Sequence, residues 1–473
     1  MNSRRKSPSR DGGVDTYPAD AHDLASYSEA EAGLAEMRIP LLLRSGDPHE
    51  RLYIAALDGT GNSMYDDKPG NWSVAARIHD QVNALNDKGI ANISGGYVEG
   101  VYTQNGLLKL PSKMLDGRYA HTADERVETA YFQLCEQARV WREEDPQAKI
   151  RVAGVGFSRG AEEVSMLLRM VEERGIRDPT GARVVRDKED LITGIQYANR
   201  PPLVPPGQTL QAAMLFDPVS TGMEEHDRRL PGSSMSTFGL IAEDERRNLF
   251  PASDQIPLGF SEDKRNYSVI VGGSHSDLGG TYLRNGLGTL SFNLGVSFLN
   301  RLSDQDFLQK QPVPTDPAQF VVHRSDQHMM GLYGTRNYDR DGLRDHVNQL
   351  APASMCADRA AQDCQRKEPI NPLLEQQIER RTAPTTAPAA PAVEKSGLDE
   401  LFERLYQGAF NRDDRAMGAA TAGYLQSADA RPFQAEVARQ QERMDAHDRQ
   451  LAAQALEAQQ AEASQQQHRS MRR

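Results

Sequence analysis

The stretch IRVAGVGFSRGAEEVSMLLRMVEE, from Ile150 to Glu173, decides the fold. Its first part is a continuous β-prone run, the pattern of a central strand buried on both faces of a parallel sheet. Its last part carries Val164, Leu167, Leu168 and Val171 at the i, i+3, i+4, i+7 spacing of an amphipathic helix. At the junction stands Gly156-Phe157-Ser158-Arg159-Gly160, a G-x-S-x-G. Glycines two before and two after the serine relieve crowding around a strained strand-to-helix turn that lifts the hydroxyl out of the sheet. The helix N-terminus beside it favours developing negative charge. With a strand before it and a helix after it, Ser158 reads as a nucleophile rather than as a serine that only caps the helix.

A nucleophilic serine needs a base and an orienting carboxylate, which on such a scaffold follow it in the order acid, then histidine, each at the end of a later strand. The run LQAAMLFDPVST, Leu210 to Thr221, is β-prone and ends at Asp217, with Pro218 setting the turn. Asp217 is the expected acid. The run NYSVIVGGSHSDLGGTY then gives a strand followed by a glycine-framed loop that holds His275 and Asp277. His275 is the expected base, with His226 and His323 as the alternatives among the 11 histidines. Asp277, two residues on, is expected to orient that loop.

DGTGNS, Asp58 to Ser63, follows the first body strand, LYIAAL. The amide of Gly59 or Thr60 is expected to join that of Arg159 in holding an oxyanion, since glycine lets backbone approach substrate closely. The competing reading is a tight turn in which Asp58 accepts local amides. A dinucleotide site is not supported, because the third glycine and the downstream ribose acid are missing. Acyl transfer by these groups requires no metal or other cofactor. A metal-assisted phosphoester hydrolase using Asp58, Thr60, His275 and Asp277 is the alternative enzyme, although this spacing matches no strong ligand motif. A non-catalytic adaptor that keeps the elbow as architecture is the alternative outside enzymes.

Outward from these motifs, short β-rich runs alternate with helical periodicity as far as about Leu302, which predicts an α/β body with a mostly parallel sheet and helices on both faces. The expected organisation is a mobile leader over residues 1–48, a catalytic domain over 49–372, a Pro/Ala-rich linker over 373–397 and a helical Gln-rich tail over 398–473. Segments at about 178–209, 222–262 and 328–372 read as insertions, in which LVPP, FGLIA and MMGLY are candidates for a lid or a membrane-facing rim, or equally for ordinary packed loops. The tail is a candidate handle for a secretion machine or chaperone.

With 55 basic against 67 acidic residues, the chain is a poor candidate for gripping a phosphate backbone, so no nucleic-acid partner is expected. No stretch approaches 18 uninterrupted apolar residues, so no transmembrane segment is expected, and the basic N-terminus lacks the apolar run of a Sec signal. Three cysteines exclude a disulfide framework. Cys135 is expected in the core, and Cys356 and Cys364 stand close enough in sequence to pair in an oxidising compartment.

LDGTGNS (57–63), VGFSRGA (155–161), FDPVST (216–221) and SHSDLGGTY (274–282) together resemble the α/β-hydrolase family known as domain of unknown function 2235. That family includes the type VI secretion lipase effectors of the first Tle group. The motifs run from Leu57 to Tyr282, about half of the chain. The resemblance implies Ser158 as nucleophile, Asp217 as acid and His275 as base, the assignment reached from chemistry. It further implies hydrolysis of the acyl esters of membrane glycerophospholipids in rival bacteria. By the same resemblance the protein is made in the cytoplasm, exported without a Sec signal to act at the target cell's periplasm or membrane, and partnered by an immunity protein.

Overall fold

The structure is a computed structural model that describes residues 9–100, 118–186, 192–331, 344–355, 364–365 and 368–381. The chain divides between Thr385 and Thr386 into two units, and all the described residues belong to the first.

A hairpin of β1 (Ser9–Asp11) and β2 (Val14–Pro18) precedes helix α1 (Ala21–Glu36) and the short β3 (Ile39–Pro40). Then β4 (Glu50–Leu57), α2 (Val74–Asp87), β5 (Ile93–Val98), α3 (Arg118–Glu144), β6 (Lys149–Phe157) and α4 (Arg159–Arg174) alternate strictly. A side hairpin, β7 (Arg183–Arg186) with β8 (Ile192–Gln196), leads into β9 (Gln211–Phe216) and β10 (Ser234–Ala242). The short β11 (Ala252–Ser253) and β12 (Gly259–Phe260) come before β13 (Asn266–Val271). Helices α5 (His275–Leu278) and α6 (Gly286–Asn300), strands β14 (Val321–His323) and β15 (His346–Val347), helix α7 (Pro372–Glu375) and strand β16 (Arg380–Arg381) complete the described chain.

The main sheet has seven strands in the order β12-β13-β10-β9-β6-β4-β5. All its neighbours pair parallel except β12, which runs antiparallel to β13 at the edge. This is the α/β-hydrolase-like architecture that the alternation predicts. The two faces of β4 show why it forms: Leu52 and Ile54 enter one core, while Tyr53, Ala55 and Leu57 enter the other. A strand covered on both sides has no polar face, which is why its sequence reads as one apolar run. Helices α1, α2 and α6 supply the first core; α3 and α4 supply the second.

From β4 the chain goes outward to β5, returns to β6, and then proceeds the other way through β9 and β10 to β13. The reversal leaves a crevice at the carboxyl ends of β4 and β6, the place where open α/β sheets bind ligands. Parallel pairing then lines up the ends of β9 and β13 on the same side, so residues more than a hundred positions apart meet along one edge.

Several expectations about the periphery are corrected. From Ser9 onward the expected leader forms regular structure. Strand β2 pairs antiparallel with β14, and α1 covers one core with Tyr27, Ala30 and Leu34. Gly33 lets α1 lie close over the sheet, since a Cβ there would stand 2.5 Å from the Tyr267 ring of β13. The expected linker begins too early: α7 and β16 occupy part of 373–381, and β16 pairs with β3. FGLIA is no rim, because Phe238–Ala242 belongs to β10, a central strand buried along its whole length. LVPP packs at the far end of α4, where the Ile176 amide donates to the Val204 carbonyl at 2.9 Å. Part of MMGLY, the whole of the tail and Cys356 lie outside the described residues. Cys364 is buried and disulfide-bonded. Cys135 is a free core thiol pushed up to about 12 by burial, as a small apolar filler would be.

Leu34→Ala tests whether the N-terminal helix is part of the core. Leu34 is 2% exposed, and truncating such a side chain costs about 2–5 kcal/mol of unfolding free energy. Urea denaturation of the full chain measures it; a loss below about 0.5 kcal/mol, the usual surface effect, would mean the helix is only tethered.

Candidate active site

Ser158 links β6 to α4 with φ 60° and ψ −126°, a backbone conformation that L residues rarely hold. The turn is over-determined by what surrounds it. A Cβ on Gly156 would stand 2.5 Å from the Ala161 Cα, and one on Gly160 would stand 2.2 Å from the Leu57 carbonyl oxygen. Both glycines of the G-x-S-x-G are therefore required by close backbone approach, the first of α4 to its own strand and the second of α4 to the end of β4. The Ser158 amide donates to the Phe216 carbonyl at 2.9 Å, tying the elbow to the end of β9.

Asp217 leaves β9 at φ 44° and is fully buried. One carboxylate oxygen lies 2.5 Å from the His275 Nδ1. The other accepts from the Ala242 amide at 2.8 Å and from Arg344 at 2.6 Å. Burial by itself raises the Asp217 carboxyl, but the Arg344 guanidinium and the His275 hydrogen bond outweigh it and hold the group well below the usual carboxylate range. An ionised Asp217 only accepts, so Nδ1 carries the proton and Nε2 is left as the basic nitrogen of His275. Burial pushes the imidazole down, aided by the Arg247 charge and opposed by Asp217.

The His275 ring is also held by two aromatic faces. Phe157 stacks on it with centroids 4.6 Å apart, and Phe250 meets it edge-on at 5.1 Å. Because Phe157 immediately precedes Ser158, this stacking brings the imidazole within one residue of the serine. Among the described residues the Ser158 hydroxyl makes no hydrogen bond, and the side chain is 4% exposed.

The loop after β4 adjoins the serine, since a Cβ on Gly59 would stand 3.0 Å from the Ser158 Cβ. Gly59 donates to the Asp58 carboxylate at 2.7 Å, so this N–H is engaged inside its own loop. The amides of Thr60 and Arg159 are the other two expected donors. The other Asp58 oxygen accepts from Ser73 and Tyr97, both at 2.7 Å. Burial pushes the Asp58 carboxyl up to about 6 against those hydrogen bonds and the charge of Arg126.

Asp277 is likewise saturated, by the Ser274 amide and hydroxyl and by the amide and ring of His323. The metal-site reading thus finds its two carboxylates turned to other partners, and among the described residues no group of three candidate ligands gathers. His226 pairs with Asp124 at 3.4 Å, and His323 with Asp277, so neither alternative histidine meets Asp217. Sequence reading missed Arg344, Phe157 and Phe250. Phe157 stood inside the elbow motif, but Arg344 comes from a distant segment that carries no local signal.

Residues 51–200 match the family model described as T6SS, Phospholipase effector Tle1-like, catalytic domain. Over that span the chain resembles the Tle1-like effectors. Among solved structures it is similar to the Tle1 effector bound to the VgrG spike of the type 6 secretion system, at 16% identity and a TM-score of 0.27. That likeness covers 49% of this chain and 51% of the other, so the chain spans about half the length of the Tle1 effector. An acetyl xylan esterase is similar at 13% identity and a TM-score of 0.21, over 52% of this chain and 98% of the esterase. No curated protein matches the sequence. Among the described residues no helix is long and apolar enough to cross a membrane.

Arg344→Gln tests the support of the acid. It leaves a buried carboxylate facing a neutral amide, and breaking such a pair costs about 3–5 kcal/mol. Chemical denaturation near pH 7 reads the change; wild-type stability would mean that Asp217 does not depend on this charge.

Proposed function

We propose that the protein is a serine-dependent acyl-ester hydrolase of the phospholipase A type, acting on membrane glycerophospholipids. The observation that carries this reading is the 2.5 Å contact between Asp217 and His275, whose ring stacks on Phe157, the residue next to the strained Ser158. The match of residues 51–200 to a Tle1-like catalytic domain supports the substrate class.

His275 Nε2 takes the Ser158 proton as Oγ attacks the ester carbonyl, and the Thr60 and Arg159 amides, beside Gly59, receive the oxyanion. The lysolipid leaves as an alcohol with the proton from His275, and Ser158 keeps the acyl group. Water, deprotonated by His275, then releases the fatty acid and restores the serine. Asp217 holds the imidazole in the reactive tautomer throughout.

By extension from the effector solved with VgrG, we read the chain as type VI cargo that meets a secretion-machine component and acts at the periplasm or membrane of a target bacterium. An immunity protein would guard the producer. The Gln-rich residues 398–473 are the proposed handle for delivery.

Purified protein given mixed phospholipids is expected to release fatty acids and lysolipids, identified by mass spectrometry. Ser158→Ala is expected to lower the rate on the order of 10⁶-fold. Hydrolysis by that variant at the wild-type rate would end the reading, and chelator-sensitive hydrolysis that survives it would favour the phosphoester alternative. Indistinguishable proteins with no turnover would favour the adaptor.

The pH profile supplies a second check. A base must be neutral, and His275 binds its proton less readily than its ordinary value of 6.5 implies. Activity should therefore be full at pH 7, with kcat/KM lost only as pH falls below about 6.5. An acid limb centred above that value would contradict the burial argument.

A further inference from the structure

The catalytic-loop motif has a second end that the proposed chemistry does not use. While His275 faces Asp217, the same turn is anchored from behind by Asp277, whose one carboxylate oxygen accepts from the Ser274 amide and hydroxyl at 2.9 and 2.8 Å. The other oxygen lies 2.5 Å from the Nδ1 of His323, a ring with no solvent exposure at the end of β14. The Nε2 of that ring lies 3.1 Å from a carboxylate oxygen of Asp11, at the end of β1. The His323 ring therefore lies between two carboxylates, one at each ring nitrogen. Asp11 is fixed in turn by the Arg284 amide at 2.9 Å, with the Arg284 guanidinium 3.8 Å away.

Tyr282, the last residue of the same motif, closes the arrangement. Its ring stacks on His323 with centroids 3.7 Å apart and planes 9° apart. The turn of the N-terminal hairpin rests on that ring, because a Cβ on Gly12, at φ 56°, would stand 2.8 Å from it. One segment, Ser274 to Tyr282, thus carries the candidate base at its start and docks the N-terminal hairpin along the rest.

We infer that Asp11, His323 and Asp277 are positioning residues for His275, so that docking of the chain's own N-terminal hairpin completes the hydrolytic site. This rests on the reading of Ser158, Asp217 and His275 given above. His275 opens a helix of only four residues, whose cap is held by Asp277. Releasing that cap lets the imidazole drift from Asp217 and Ser158, and a displacement of about 1 Å is enough to cost on the order of a hundredfold in rate. His323 and the hairpin reach no reacting atom; they act through the loop.

Labelling by an alkyl fluorophosphonate separates positioning from mere stabilisation. In that reaction the Oγ–P bond forms, fluoride leaves and the serine proton passes to His275, so the rate constant per folded molecule reports how well the base is placed. The final stoichiometry reports how much protein is folded. Full-length Asp11→Asn and His323→Gln are expected to reach wild-type stoichiometry at least tenfold more slowly, with Asp11→Glu recovering most of the rate. Wild-type rate constants in both variants, while Ser158→Ala stays unlabelled, would overturn the inference and leave the triad standing. Reduced stoichiometry at an unchanged rate constant would also overturn it, marking the array as a stabilising contact only. A wild-type protein that is not labelled would remove the triad reading itself, and the inference with it.

Discussion

A charged carboxylate in a dry interior is the constraint around which this site is organised. Asp217 has no exposure to solvent, yet it must stay ionised to hold His275 in the tautomer whose Nε2 is basic. An isolated carboxylate there would take up a proton. The Arg344 guanidinium and the Ala242 amide prevent it by filling one oxygen, which leaves the other for the imidazole. Asp217, His275 and the Ser158 turn are thereby coupled to the segment that delivers Arg344, and that residue is as much part of the architecture as the strands.

The sheet solves the complementary problem of holding a strained serine. Ser158 keeps its unfavourable backbone angles because α4 is pressed against β4 and β6 at Gly160 and Gly156, where no side chain fits. The same closeness puts the Asp58–Thr60 loop beside the serine. Two buried ion pairs, Arg126 with Glu163 and Arg228 with Glu162, stand on the first turn of α4 and bind it to α3 and to the loop after β9. Such pairs add little net stability, because the cost of desolvating both charges offsets most of their attraction.

Much of the periphery serves that geometry. The hairpin of β1 and β2 completes a small sheet with β14, and α1 covers the face of β13 that precedes the His275 loop. These residues are polar in sequence because a surface element buries one stripe and exposes the rest; Leu34 and Tyr27 are core, and their neighbours are solvated. Low apolar content over residues 1–48 therefore read as mobility. FGLIA is ambiguous in sequence for the opposite reason: an apolar run between loops resembles a rim or a packed loop, and only its partners β9 and β13 identify it as a central strand.

What the linear chain determined was local: the strand-turn-helix at Ser158, the strand ends at Asp217 and His275, and the alternation that makes a parallel sheet. Each follows from periodicity and from glycine or proline at a turn, signals that neighbouring residues carry by themselves. The direction of the Gly59 amide, the fate of His323 and Asp277, and the pairing of Arg344 with Asp217 were decided only in three dimensions. They depend on which buried donor lies within about 3 Å of which acceptor. That distance is set by packing among strands far apart in the chain, and no spacing along it encodes the answer.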